Sequence, residues 1–432
     1  MVRRSLRLVA VQGQWLRVAV RPGDGTRPPT APANLREPIT QASGPVHHVF
    51  ILQLVVGHLP SVASAAFKTQ EDGDQRRKSE VNRNMLSRLV LVGVALAVLA
   101  GCGGGNNDNG GSSGGGTAGG SGQLKASGAS FPDAYYQEVI SAYKEKAPDV
   151  TVTYNAVGSG TGKKEFGQGL TDFAGSDSTV KPGDGPAEGS FLYVPTVAGP
   201  ITVSYNLSGV DKLQLSPDTL ANIFQAKITK WNDPAIAKDN PGASLPDTAI
   251  TVAHRSDGSG TTNNFTKYLK AAAPSTWKLG SGDTVAWPAG TQGAEKNTGV
   301  AQIIKQTDGG IGYVDYSDAV ETKLNLAAIK NKDGKYVAPS LDGATAAVAG
   351  ATVKDDLTYD PLNASGADAY PITAPTYLLL KTKYDADKAT LVKDYVRYLL
   401  TDGQPIAKDV NFAALPSGLQ QKALAQLDKV AS

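Results

Sequence analysis

Three short runs of glycine and serine, each between a strand-like and a helix-like segment, constrain the fold of this chain more than any other feature. The first, Gly128-Ala129-Ser130-Phe131, stands directly before a helix expected from residue 132. The second, Gly158-Ser159-Gly160-Thr161-Gly162, follows a strand ending near Val157 and precedes a short helix expected over 163–169. The third, Arg255-Ser256-Asp257-Gly258-Ser259-Gly260-Thr261-Thr262, joins a strand over Ile250–Ala253 to a helix from about 261. Small-residue loops feeding helix starts belong to α/β layers, in which ligands bind beyond the carboxyl ends of strands. The unpaired N–H groups and the dipole at a helix start favour an anion there. One such loop alone is an ordinary structural turn, but three, one of them carrying an arginine, point to an anion site.

The periodicity between these loops agrees. Tyr136, Val139, Ile140 and Tyr143 fall on one helical face, with Pro132 suited to the first turn. Val150 to Tyr154 alternates as a strand does. Helical runs recur at 217–226, 261–272 and 388–402, where Gly403 is placed to end the last, and Tyr377 to Leu380 reads as a buried strand. Strands alternating with helices predict an α/β fold with largely parallel sheets. A chain of 432 residues is long enough for two domains with cores of their own.

Composition narrows the chemistry. A net charge of +2, with no basic stripe interleaved with aromatics, gives no nucleic-acid partner. One cysteine and four histidines leave no disulfide framework and no zinc-ligand spacing, so no metal and no cofactor are expected. Gly162-Lys163-Lys164 lacks the Ser/Thr and the glycine spacing of a Walker A loop, and the only GxSxG matches lie in Gly110–Gly115, with no strand–turn–helix context. His254, alone at a strand end, reads as a packed side chain. Asp177, closing Thr171-Asp172-Phe173-Ala174-Gly175-Ser176, reads by itself as a turn residue or helix cap.

The N-terminal quarter carries targeting signals. After Met85, the only methionine besides Met1, comes Arg88, then an unbroken apolar run over 89–100, then Leu99-Ala100-Gly101-Cys102. About twelve apolar residues are too few to span a bilayer but suit a signal peptide. The L-A-G-C ending resembles a bacterial lipobox, which implies a signal peptide over 85–101 and lipidation at Cys102. Residues 102–123, nearly all Gly, Ser and Asn before the body, read as a flexible tether. Residues 1–84, rich in Arg and Pro without sustained periodicity, read as an over-extended start or an unstructured extension, with a pro-region as the alternative.

Several motifs then resemble one family in order along the chain: GASFPDAYYQ, YNAVGSGTGKKEF, TDFAGSDS, IFQAKITKWNDPAIAKDNPGASLP, HRSDGSGTTNNFTKYL, WPAGTQG, GGIGYVDYS, YPITAPTYLLL and NFAALPSGL. They resemble the phosphate-binding proteins of bacterial high-affinity phosphate ABC transporters, from about Ala126 to the C-terminal helix. The resemblance implies a two-lobed, hinged periplasmic-binding-protein fold (type II, Venus-flytrap) with discontinuous lobes. One lobe would combine 124–201 with 371–432 and the other would be 202–370, hinged near Ile201 and Tyr370. It implies inorganic phosphate as ligand, bound by Ser130, Phe131, Ser159, Asp177, Arg255, Ser259, Gly260 and Thr261, with Asp257 holding Arg255. It further implies the transmembrane subunits of an ABC permease as partner, membrane lipid through Cys102, a monomer, and no catalysis. Gly160, where relatives often carry a second serine, departs from the pattern.

The physical chemistry of such a site turns on Asp177. A carboxylate beside an anion is unfavourable unless the ligand brings a proton, which phosphate has at neutral pH and sulfate lacks. A site built around that acceptor rejects the analogue that cannot pair with it. The alternatives are a binding protein for another oxyanion, sulfate or molybdate, and a secreted phosphatase on the same cradle, which would need a nucleophile with a base or a metal.

Overall fold

The computed structural model describes residues 6–11, 14–19 and 121–432. The signal segment 85–101, Cys102 and most of the 102–123 tether lie outside them. Within 1–84, Leu6–Val11 and Gln14–Ala19 form an antiparallel pair with Leu6 opposite Ala19. The chain divides into two units, Met1–Asn106 and Asn107–Ser432.

The second unit opens on the strand Gly122–Gly128, the helix Asp133–Lys146 and the strand Val150–Ala156. The helix buries Tyr136, Val139 and Tyr143, the face its spacing predicts. Asp133 sits in its first turn and Lys144 and Lys146 in its last, each charge opposing the nearer end of the dipole. The strand Val150–Ala156 buries every second residue. The helices Pro217–Phe224, Gly260–Ala272 and Ala386–Leu400 fall where expected, and the Gly403 N–H closes the last by bonding to the Tyr398 carbonyl at 2.9 Å. Among the described residues, no helix is long and apolar enough to cross a membrane.

The main sheet is mixed, which corrects the expectation of largely parallel strands. Its order runs Val150–Ala156, Gly122–Gly128, Phe173–Ser176, Thr373–Lys381, Phe191–Asn206, Gly310–Asp315, Thr251–Arg255, Gln292–Ala294. The three strands at one end are parallel, as are the three at the other. Phe191–Asn206 and Thr373–Lys381 between them run antiparallel to each other and to the flanking sets. Local patterning does not separate these cases, because both central strands are buried on both faces whichever way they run.

The sixteen-residue strand Phe191–Asn206 changes partner midway. Pro200 is the last residue paired with Thr373–Lys381, and Ile201 the first paired with Gly310–Asp315. At that point Tyr370 Oη donates to the Ile201 carbonyl at 3.0 Å, and the Ile201 N–H bonds to the Ile372 carbonyl at 2.7 Å. Two chain passages thus lie side by side at Ile201 and Tyr370, both fully buried.

Candidate anion-binding site

Each of the three small-residue loops leaves a strand of the main sheet and enters a helix. The second enters sooner than expected: its helix is Ser159–Gly167, so Ser159 is already in the first turn. Glycine is a poor helix former, but here it is required by contact. A Cβ on Gly160 would lie 3.0 Å from the Gly258 Cα, and the Gly160 N–H bonds to the Gly258 carbonyl at 2.9 Å. The second and third loops therefore press backbone against backbone. Gly158, with φ of 87°, has no room either: a Cβ there would meet the Gly258 carbonyl at 2.7 Å.

Asp177 follows the strand Phe173–Ser176 and is 2% exposed. Thr376 Oγ1, from the central strand Thr373–Lys381, donates to its Oδ1 at 2.7 Å. Ser159 Oγ lies 3.4 Å from Oδ2 and accepts from the Asp177 N–H at 3.2 Å. Asn264 Nδ2 holds the Asp177 main-chain carbonyl at 2.6 Å. Burial, helped by Asp283 nearby, pushes the carboxyl up to about 7. Thr376, the Arg255 charge and Ser159 pull the other way. Gly260 closes over this group: a Cβ there would lie 2.6 Å from Ser159 Oγ and 2.8 Å from Asp177 Oδ2.

Arg255 ends the strand Thr251–Arg255 and is 3% exposed. Its Nε donates to Asp257 Oδ1 at 2.6 Å and its Nη2 to Asp257 Oδ2, a two-point fork that fixes the guanidinium plane. Nη1 donates to Asn297 Oδ1 at 2.9 Å. Ser259 caps the helix Gly260–Ala272, its Oγ accepting from the Thr262 N–H at 3.1 Å. Its own N–H is engaged by the Asp283 carbonyl at 2.9 Å, so only the hydroxyl hydrogen of Ser259 is left for a ligand. Thr261 is 1% exposed.

Ser130 is 8% exposed, and its Oγ accepts from the Asn297 N–H at 3.4 Å. Phe131 is buried edge-on against Phe412 at 5.5 Å, so its ring anchors the loop and its backbone is the part that can face the site. His254 packs as expected, stacked on Trp287 at 4.9 Å. Asn297 thus joins Ser130, Arg255 and Thr261, Asp257 holds Arg255, and Ser159 and Gly260 lie against Asp177. Two hydroxyls, a helix start and the Arg255 charge surround the buried Asp177 carboxyl, groups of the kind that bind an oxyanion.

Comparison with known proteins places the chain. The profile of the PBP superfamily domain matches residues 113–403. The phosphate-binding protein PstS of Pasteurella multocida strain Pm70 is 37% identical over 310 residues, 70% of this chain and 89% of that protein. The phosphate-binding protein PstS2 of Mycobacterium bovis is 36% identical over 327 residues, 72% of this chain and 88% of the relative.

The chain belongs to the PstS family of phosphate-binding proteins.

Solved structures share its fold. A periplasmic phosphate-binding protein, PfluDING, bound with phosphate at pH 8.5, superposes with a TM-score of 0.60 at 23% identity, over 70% of this chain and 93% of that one. A phosphate-binding protein from Stenotrophomonas maltophilia gives 0.55 at 20% identity, over 71% and 94%.

Two residues of this PstS-family site are not foreseen by sequence reasoning. Asn297, fully buried near the start of the helix Lys296–Gln306, joins Arg255, Thr261 and Ser130, with its Nδ2 donating to Thr261 Oγ1 at 3.2 Å. Thr376 is the donor to Asp177. The one available signal was polarity out of place, a threonine within the apolar run of a fully buried strand.

Proposed function

We propose that this protein binds inorganic phosphate in a cleft between two lobes, 124–201 with 371–432 and 202–370, and hands it to the transmembrane subunits of an ABC permease. The lobes hinge where Ile201 and Tyr370 meet. Ser130, the Phe131 N–H, Ser159, Ser259, the Gly260 N–H and Thr261 donate to the phosphate oxygens. Arg255, held by Asp257, neutralises charge, and Asp177 accepts the ligand's own proton. Each bond to a charged ligand is worth roughly 1.5–3 kcal/mol, enough together to replace a lost hydration shell. The protein is a monomer with no catalytic step, exported and held by lipid on Cys102 at the outer face of the cell membrane.

The observation that carries this reading is Asp177, a carboxylate 2% exposed among anion donors and bonded by Thr376 at 2.7 Å. Such a group is unfavourable next to any anion that lacks a proton. Isothermal titration with phosphate, then sulfate, after bound phosphate has been stripped by partial unfolding, tests it. Tight phosphate binding without sulfate heat is expected; equal binding, or sulfate alone, overturns the ligand. Mass spectrometry of the N-terminal peptide from membranes tests the anchor, with a diacylglyceryl mass on Cys102 expected and an unmodified residue 102 refuting it.

A further inference from the structure

We propose that Lys163 and Asp283 form an ion pair that latches the lobes shut, and that this pair sets how slowly phosphate leaves. The inference rests on the two-lobe phosphate-binding reading above. Lys163 lies one turn after Ser159 in the helix Ser159–Gly167, and its side chain is 1% exposed. Its Nζ is 2.8 Å from Asp283 Oδ2, and Asp283 belongs to the 202–370 segment. The pair therefore spans the seam.

Both ions are well satisfied. Asp283 Oδ1 accepts from Asn263 Nδ2 at 2.8 Å and Oδ2 from Ser178 Oγ at 3.1 Å. Lys163 Nζ also donates to Ser178 Oγ at 3.2 Å. A second carboxylate, Asp184, sits 3.6 Å from Nζ, but it is 42% exposed and contributes little. The pair is wired into the site at three points. Lys163 shares the helix of Ser159, Ser178 directly follows Asp177, and the Asp283 carbonyl takes the Ser259 N–H at 2.9 Å. No atom of the pair needs to touch phosphate for closure to hold these three groups in place.

Such a pair, with Lys163 buried and Asp283 17% exposed, is not stabilising merely because it exists, since both ions lose hydration on closing. This one regains most of that loss from Ser178 and Asn263. Removing either partner takes the nearest counter-ion from the other, leaving Lys163 only the half-exposed Asp184 at 3.6 Å, whereas in the open form the same charge meets water. Opening is thereby favoured, and the effect falls on release more than on capture.

The test is phosphate release by stopped flow from the full protein and from Lys163→Met and Asp283→Asn, with X-ray scattering of the ligand-free forms. Each single variant is expected to release phosphate at least about ten-fold faster and to show a larger radius of gyration. Lys163→Met/Asp283→Leu, which leaves no lone charge, is expected to lie nearer wild type than either single variant. Charge near the ligand alone predicts the opposite for Asp283→Asn, because removing a negative charge would slow release of an anion. Slower or unchanged release from Asp283→Asn therefore overturns the latch. Should a single variant fail to fold, Ser178→Ala, with a smaller rise in release expected and no change refuting, keeps the idea testable. A wild-type protein that binds no phosphate would overturn the function alone, and the ligand-free scattering would still decide the latch.

Discussion

The Asp177 carboxyl, pushed by burial to about 7, makes the selectivity of this site a function of pH. In the proposed site phosphate would bring its own proton to a hydrogen bond with Asp177. Sulfate brings none, so it can pair with Asp177 only when the carboxyl is protonated. Holding that proton above pH 7 costs about 1.4 kcal/mol per pH unit. Sulfate affinity is therefore expected to fall about ten-fold for each unit above 7 and to level off below it, while phosphate affinity changes far less. The charged and polar groups facing Asp177 are Arg255, Asp283, Ser159 and Thr376, and none of them cancels the effect of burial.

Titrating both anions at about pH 5.5, 7 and 8.5 checks the slope. Buffers of different ionisation enthalpy should show about one proton taken up per sulfate at the highest pH. Asp177→Asn removes the titrating group, and its sulfate affinity should lose the slope. The same group acts on stability without ligand. A carboxyl raised from 3.8 to about 7 favours the folded state fully below the lower value, and that advantage is lost as pH rises through about 7. The whole difference is worth about 4 kcal/mol, of which about 3 kcal/mol falls above pH 5, so the ligand-free protein should melt higher at pH 5 than at pH 8, and Asp177→Asn should flatten the difference. A sulfate affinity indifferent to pH, or the same slope in wild type and Asp177→Asn, refutes the reasoning.

Three further outcomes are expected from the contacts around this group. Thr376→Val removes the donor at 2.7 Å and should move the break in the sulfate profile upward by about one to two pH units, read from the same titrations; no movement would show the bond to be immaterial. Asn297→Ala strips partners from Arg255 and Thr261 together and should weaken phosphate binding by about ten- to a hundred-fold in calorimetry, against an unchanged constant if the guanidinium is held by Asp257 alone. Gly128→Ala places a methyl group inside the Gly175 carbonyl across adjacent strands, so the variant should lose roughly 3 kcal/mol or more in denaturant melts.

Where the site was legible in the sequence, the reason was local. Ser130, Ser159 and Ser259 to Thr261 sit at helix starts, which strand, turn and helix patterns mark from a few residues on either side. Arg255 and Asp257 are two positions apart within one motif, and their pairing was implied by the family resemblance that this motif carries. Asn297 is different: its partners lie 36, 42 and 167 residues away, and nothing in its neighbourhood separates it from any asparagine early in a helix. Thr376 meets Asp177 across 199 residues. The direction of the two central strands was illegible for a related reason, since burial on both faces erases the period from which a strand's surroundings are read.

The closeness of the loops bears on when discrimination takes place. Gly260 lies against Ser159 and Asp177, and Gly160 bonds to Gly258, only because the 255–262 loop is seated on the 158–162 loop. In the proposed hinge motion, separating these loops returns Asp177 to water, and with hydration its carboxyl returns towards an ordinary value. The demand for a proton on the ligand is then a property of the closed form. Arg255 and the open helix starts would meet sulfate and phosphate alike, and the closed form would turn away the anion that brings no proton. Selectivity and closure are thus one step, and a change that loosens the seam should speed release of phosphate and erode its advantage over sulfate together.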